Sequence, residues 1–168
     1  MALTGQIGIH AQLTYTGTAV LGAAPTYPLA YTKYWDVTSG TGANQADVLY
    51  SAARTLSTAA TEDLDLAGAL ATLFGATITA AKVKAVIIES VAANTTNLTI
   101  GNATSNQFQG FFGAVTHTIV LKPGEAFAFL SPAAAGLAVT AGTGDLLKVA
   151  NAAGASATYN IIVVATTA

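Results

Sequence analysis

Two histidines, eight carboxylates and no cysteine are the whole stock of metal-ligating and acid–base side chains in this 168-residue chain. A zinc centre or a general acid–base pair needs several such groups converging on one point. His10 and His117 each stand alone among apolar neighbours, which suits an exposed or hydrogen-bonded strand histidine better than a ligand. Glu62, Asp63 and Asp65 form the densest acidic group, and Asp63 and Asp65 share one strand face. A calcium loop, however, needs a longer series of oxygen ligands around a glycine turn. Asp36 and Asp47 flank the stretch Thr38 to Gln45, and Asp145, after Thr143-Gly144, fits a side-chain-to-backbone turn. Serine and threonine abound, but no Gly-x-Ser-x-Gly elbow or Ser-x-x-Lys element activates one. Gly40, Gly42 and Gly142, Gly144 lack the Lys-Ser/Thr ending of a phosphate loop. The absent cysteine removes thiol catalysis, disulfides and thiolate metal sites together. The chain is therefore expected not to be an enzyme and to carry no cofactor and no metal.

The aromatic residues are the remaining candidates. Tyr27, Tyr31, Tyr34 and Trp35 bunch near the N-terminus, and Phe108, Phe111 and Phe112 bunch in a Gly/Gln-rich stretch. Tyrosine and tryptophan are favoured anchors of protein interfaces, so Tyr27, Tyr31, Tyr34 and Trp35 are the predicted subunit-contact residues. Packing in the chain's own core explains them almost as well. A carbohydrate platform built from Tyr31, Tyr34, Trp35 or Phe111 is a third use. Asn94, Asn97 and Asn102 each begin an Asn-x-Thr triplet, a frequent accident in a threonine-rich chain, and no secretion signal accompanies them.

Composition narrows the class of partner. Charged residues are 8% of the chain, against an ordinary share of about 25%. The net charge is -2 with an isoelectric point near 5.4, so no basic face exists to neutralise phosphates and nucleic acid is not an expected partner. The start, Met1 to Gln6, has no basic segment of the kind that opens a signal peptide. The longest apolar stretch, Leu66 to Ala81, is broken by glycine and threonine and is shorter than the roughly 18–20 residues of a spanning helix. A mean hydropathy of +0.55 with so few charges makes a dispersed monomer hard to sustain, and burial among other subunits is the more economical expectation.

The elements that must carry these side chains are strands. Alanine (37) and threonine (25) together exceed a third of the residues, and they alternate with valine, isoleucine, glycine and asparagine, a mixture suited to strands and turns. Residues 6–15 alternate strictly, with Ile7, Ile9, Ala11, Leu13 and Tyr15 on one side, which predicts a half-buried strand. Pro25 and Pro28 bar a central strand nearby and indicate an extended arm or edge, followed by an extended run over 29–37 and a loop over 38–45. From Ala46 the spacing predicts strands over 47–56, 62–66, 82–90, 98–100, 115–121, 126–130, 137–140, 146–150 and 159–165. Lys82 to Ser90 is apolar on both faces and hence central. Ala67 to Phe74 is the one candidate helix, with Gly75 at its C-terminal end. Lys122-Pro123-Gly124-Glu125 fits a type II turn and a hairpin-like reversal. The expectation is an all-β fold, a jelly-roll-like β-sandwich over 46–168 with an N-terminal arm over 1–45 and at most one short helix.

The section from Ala46 onward resembles small virion structural proteins of tailed bacteriophages. The resemblance is carried by Arg54-Thr55-Leu56 with Glu62-Asp63-Leu64-Asp65-Leu66, by Phe74-Gly75, Val83-Lys84-Ala85 and Asn97-Leu98-Thr99-Ile100-Gly101. It continues through Lys122-Pro123-Gly124-Glu125, Val139 to Leu146 and Tyr159-Asn160-Ile161-Ile162-Val163, about two-thirds of the chain; the first 45 residues carry none of it. It implies a capsid decoration (cement) protein made in the host cytoplasm and resident on the virion head. Its implied partners are the major capsid protein and copies of itself, as a homotrimer, without nucleic acid or membrane. Tail-tip, baseplate or head-fibre proteins share the same features, and a carbohydrate-binding sandwich is the alternative from another class.

Overall fold

The computed structural model describes residues 2–168, which form twelve strands and no helix. Two long strands come first, β1 (Gly5–Thr16) and β2 (Thr26–Ser39), then the two-residue β3 (Gln45–Ala46). The body follows with β4 (Val48–Leu56), β5 (Thr61–Asp65), β6 (Lys82–Ser90), β7 (Leu98–Gly101), β8 (Thr118–Leu121) and β9 (Ala126–Leu130). It closes with the short β10 (Leu137–Ala138), β11 (Leu146–Asn151) and β12 (Ala157–Thr166).

The body is a jelly roll. One sheet runs β9-β6-β12-β4, with β10 continuing the β6 edge beyond β9, and the other runs β5-β11-β7-β8. Every pairing within these sheets is antiparallel. Setting the two-residue β10 aside and counting the remaining body strands from β4, the orders are 6-3-8-1 and 2-7-4-5, the double Greek key in which early and late strands of the chain pair. Alternation supplies the core. Val86 and Ile88 of β6, Tyr159, Ile161 and Val163 of β12, Leu98 and Ile100 of β7, and Leu147 and Val149 of β11 meet between the sheets, all fully buried.

Three local expectations differ from what forms. Residues 67–74 make turns rather than a helix: Ile78 N–H donates to Leu70 O at 2.7 Å, Thr72 N–H to Ala76 O at 2.8 Å and Gly75 N–H to Thr72 O at 2.9 Å, closing a small hairpin around Leu73-Phe74. Two turns of alanine-rich helix cannot offset the cost of nucleation, whereas the hairpin places Leu70 and Ile78 in the core. The turn at Lys122–Glu125 forms, with Gly124 at φ +80° and Glu125 N–H on Lys122 O at 3.0 Å. Its two strands do not pair, however: β8 lies in one sheet and β9 in the other, so the turn carries the chain between layers. The expected loop over 38–45 is shorter, because β2 runs on to Ser39 and pairs in parallel with β3 around Asn44 at φ +54°.

The N-terminal segment forms a two-stranded ribbon. β1 and β2 pair antiparallel over twelve positions, from Gly5↔Val37 to Thr16↔Thr26, a span of about 40 Å at roughly 3.3 Å per residue. Its root is fastened to the sandwich by Leu3, Ile7 and Val37, which pack on Ala85, Val164 and Leu130 at the outer face of the β6–β12 layer. Asn44 N–H donating to Pro132 O at 2.8 Å adds a backbone tie. The Lys84 ammonium, almost fully buried, donates to the carbonyls of Gly42 (3.1 Å), Ala134 (3.2 Å) and Ala133, joining the ribbon-root loop to the loop after β9. Burial holds the Lys84 pKa below the usual lysine range, with a smaller contribution from Lys82.

Candidate functional site

The ribbon register sorts its side chains into two unlike faces. Residues opposite one another share a face and successive residues alternate, so Ile9, Ala11, Leu13 and Tyr15 align with Lys33, Tyr31, Leu29 and Tyr27. The other face carries His10, Gln12, Thr14 and Thr16 opposite Thr32, Ala30, Pro28 and Thr26. The apolar face is continuous with the root through Ile7 and Trp35, yet beyond the root none of the described residues covers it. Ile9 is 50% exposed, Leu13 62%, Tyr15 78%, Tyr27 67% and Tyr31 54%, and Val20 and Leu21 in the connecting loop stand almost wholly in solvent. The strand expected to be half-buried over 6–15 is thus largely exposed, because its partner is β2 and not the sandwich.

The four predicted contact residues do not act as one group. Tyr27 and Tyr31 lie on the apolar face, and Trp35 lies on it at the root, where it lines a small cavity with Ile7, Val37, Leu130 and Pro132. The Lys33 ammonium sits 5.7 Å from the Trp35 ring centre, within reach of a cation–π contact. Tyr34 belongs to the opposite face, where its ring covers Gly8; a Cβ at Gly8 would stand 2.1 Å from Tyr34 Cδ1. Of the carbohydrate-platform candidates, Tyr31 and Trp35 therefore share a face, and Tyr34 does not. Phe111 is occupied as well, packed with Phe108, Phe112, Phe127 and Phe129 at ring-centre distances of 4.5–5.7 Å. Ile9, Leu13 and Leu29 share the face of Tyr27 and Tyr31, and Val20 and Leu21 stand at its tip, but the sequence reading names none of them as candidates. The legible signal was two alternating segments around a Gly/Pro-rich stretch, the pattern of a hairpin.

The chemistry-bearing residues are dispersed or engaged in structure. His10 Nδ1 lies 2.9 Å from Thr32 Oγ1 on the polar face. Asp36 accepts from Gln6 at 2.7 Å, Asp65 accepts from Ala67 N–H at 2.8 Å, and Asp47 holds the C-terminal strand end through Thr167 N–H and Oγ1 at 2.9 and 2.6 Å. Asp145 Oδ2 accepts from Gly142 N–H at 2.5 Å, closing the expected turn, while Oδ1 is buried without a partner. Among the described residues no three His, Cys, Asp or Glu side chains gather at metal-binding distance. Asn94 clasps Thr158 through both ends of its amide, at 2.7 and 2.8 Å.

One polar cluster is built with care. Glu62 of β5 accepts from Arg54 Nε and Nη2 of β4 at 2.7 and 2.5 Å and from the hydroxyl of fully buried Tyr159 of β12 at 2.6 Å. Arg54 Nη1 in turn donates to Tyr50 Oη at 3.1 Å. The Glu62 hydrogen bonds raise the Arg54 pKa, opposed by burial, and burial first and Glu62 second push the Tyr159 hydroxyl above the usual tyrosine range. The cluster joins the two sheets at one edge of the sandwich. All of its members are satisfied by one another, so it serves as a strap.

No protein-family description matches this chain, and no curated protein matches it. Among solved structures it is similar to a chain described under "Bacillus endospore appendages form a novel family of disulfide-linked pili", with 14% identity, 72% of this chain and 88% of that chain covered, and a TM-score of 0.40. A likeness this remote carries no argument about function.

Proposed function

We propose that this protein is a non-catalytic virion subunit that decorates the outside of a phage head shell and braces it. The observation that carries the reading is the ribbon: the sandwich presents an amphipathic two-stranded arm whose apolar face has no partner among the described residues of the chain. An exposed apolar patch of this extent on a soluble domain marks an interaction surface. The dispersed acids and histidines support a binding rather than a catalytic role, and the resemblance of residues 46–168 to phage structural proteins supplies the setting. On a shell, many copies bind at once, so a weak contact per copy becomes firm attachment through effective concentration.

The test is co-sedimentation with undecorated head shells. A shortened-ribbon variant, with residues 10–32 replaced by Asn-Gly so that Ile9 and Lys33 close a two-residue hairpin, keeps the root contacts of Ile7 and Val37. Wild type is expected to pellet with the shells and raise their disruption temperature, and the shortened variant to stay in the supernatant. Wild type that ignores shells but labels the tail by immunogold would assign it to the tail tip or baseplate instead.

A further inference from the structure

The root of the ribbon shows what its apolar face fits. There, Ile7 and Val37 lie on the outer face of the β4–β12–β6 layer, against Ala85 and Val164. Between that root, with residues 3–8 as one wall, and the same layer runs an open groove of about 310 Å³, floored by Leu49, Ile87 and Ile162. Leu49 and Ile162 remain 37% and 39% exposed. One chain therefore carries two unfinished halves of a single kind of contact: an overhanging apolar ribbon face and a partly uncovered apolar sheet face. The ribbon cannot fold back on its own groove, because its root is already fixed at the groove's margin.

Size and charge both suit closure by another copy. With tyrosines contributing on the order of 150–250 Å² each when fully covered, the exposed parts of Ile9, Leu13, Tyr15, Tyr27, Leu29 and Tyr31 amount to about 600 Å². That approaches the roughly 800 Å² per partner of a stable interface, which the groove matches only together with the adjoining exposed sheet face at Ala53, Glu89 and Asn160. The groove has no charged lining residue, and on the ribbon face the only charge is Lys33, already placed over Trp35. Neither the groove nor the ribbon face calls for a partner of opposite sign, and Glu89, two residues beyond Ile87 on the same face, already accepts a hydrogen bond from Asn160 at 3.1 Å.

We propose that a second copy of this chain covers the ribbon, whose apolar face at residues 9–15 and 27–31 lies in the Leu49–Ile87–Ile162 groove of that copy. The two surfaces differ, so the contact either repeats head to tail and closes into a ring, or is exchanged reciprocally about a two-fold axis. This inference does not rest on the virion reading, since it concerns the purified chain alone; on a shell the ribbon would join neighbouring copies, and loss of that joining would weaken attachment through their number.

The test is the molar mass of the full chain by light scattering at about 100 µM, well above the Kd of a stable interface. Wild type is expected at a multiple of 16.8 kDa. Leu13→Asp and Ile162→Asp are each expected to give single chains with an unchanged thermal melt at low concentration. Gln12→Asp, on the polar ribbon face, is expected to keep the wild-type mass. The cysteine-free background allows a second measurement: Leu13→Cys and Ile162→Cys proteins, mixed and oxidised, are expected to cross-link at least about tenfold faster than either alone, because docking raises their effective concentration. Equal rates overturn the proposal, as does a Gln12→Asp protein that dissociates as readily as Leu13→Asp. A wild-type monomer at 100 µM also overturns it; flotation of that monomer with phosphatidylcholine vesicles would give the face to a lipid surface instead.

Discussion

Replacing Glu62 by alanine tests whether the strap at the sandwich edge holds the two sheets together. The substitution removes the acceptor of the Tyr159 hydroxyl, a donor in a fully buried side chain, and an unsatisfied buried donor costs about 1–3 kcal/mol. It also frees the Arg54 guanidinium, but that side chain is 36% exposed and can turn to water, so its share is held to below about 1 kcal/mol. The sum is about 1–4 kcal/mol, equivalent to a fall in Tm of about 3–12 °C for a chain of this size. Glu62→Gln keeps an acceptor for Tyr159 and gives up the charge, so about 1 kcal/mol is expected. Urea unfolding at one fixed protein concentration measures both, with an unchanged m-value showing that the same surface is exposed. A Glu62→Ala loss below about 0.5 kcal/mol would refute the reasoning, since that is the yield of an ordinary surface ion pair.

Three further outcomes follow from the same geometry. The Tyr159 pKa is raised in the folded chain above the usual 10.0; the stability tied to its protonated form is therefore complete below pH 10 and drains as the pH climbs past it, by about 1.4 kcal/mol per pH unit. Lys84, lowered from 10.5, acts with the opposite sign as the pH approaches that value, so the difference between wild type and Tyr159→Phe isolates the tyrosine, and identical alkaline profiles would exclude it. Lys84→Met removes charged hydrogen bonds worth about 1.5–3 kcal/mol between two loops, so amide exchange at Gly40–Gln45 and Ala133–Gly136 should quicken by about tenfold or more; unchanged exchange would mean that the loops are held by other contacts. Gly101→Ala places a Cβ 2.6 Å from His117 O at a φ of +100°, and a loss of about 1–3 kcal/mol is expected in a thermal melt, against none if the turn simply relaxes.

The sandwich was legible because its signals are local. Lys82–Ser90, apolar on both faces, is the buried strand β6, and Ala126–Leu130 forms with the bounds its alternation indicates. The partner of each strand was not legible, because the sheets pair residues far apart in the chain. Lys122–Glu125 is a proper turn, yet whether it joins neighbours or changes layers depends on where β7 and β6 already lie. The ribbon shows the same limit. Ile9, Leu13 and Tyr15 alternate as a half-buried strand would, but alternation records only that one face is apolar and says nothing of what covers it. The Glu62–Tyr159 bond was invisible for a further reason: it spans two sheets and nearly a hundred residues, and nothing around Tyr159, at the start of the strand over 159–165, points to Glu62.

The central claim is that the ribbon's apolar face is where this chain meets its neighbours. Electron cryomicroscopy of the native head particle tests it most directly. The account predicts jelly-roll density on the outer shell with protein packed against Leu13, Tyr27 and Tyr31. A particle without this chain, or one in which those three side chains face open solvent, would contradict it.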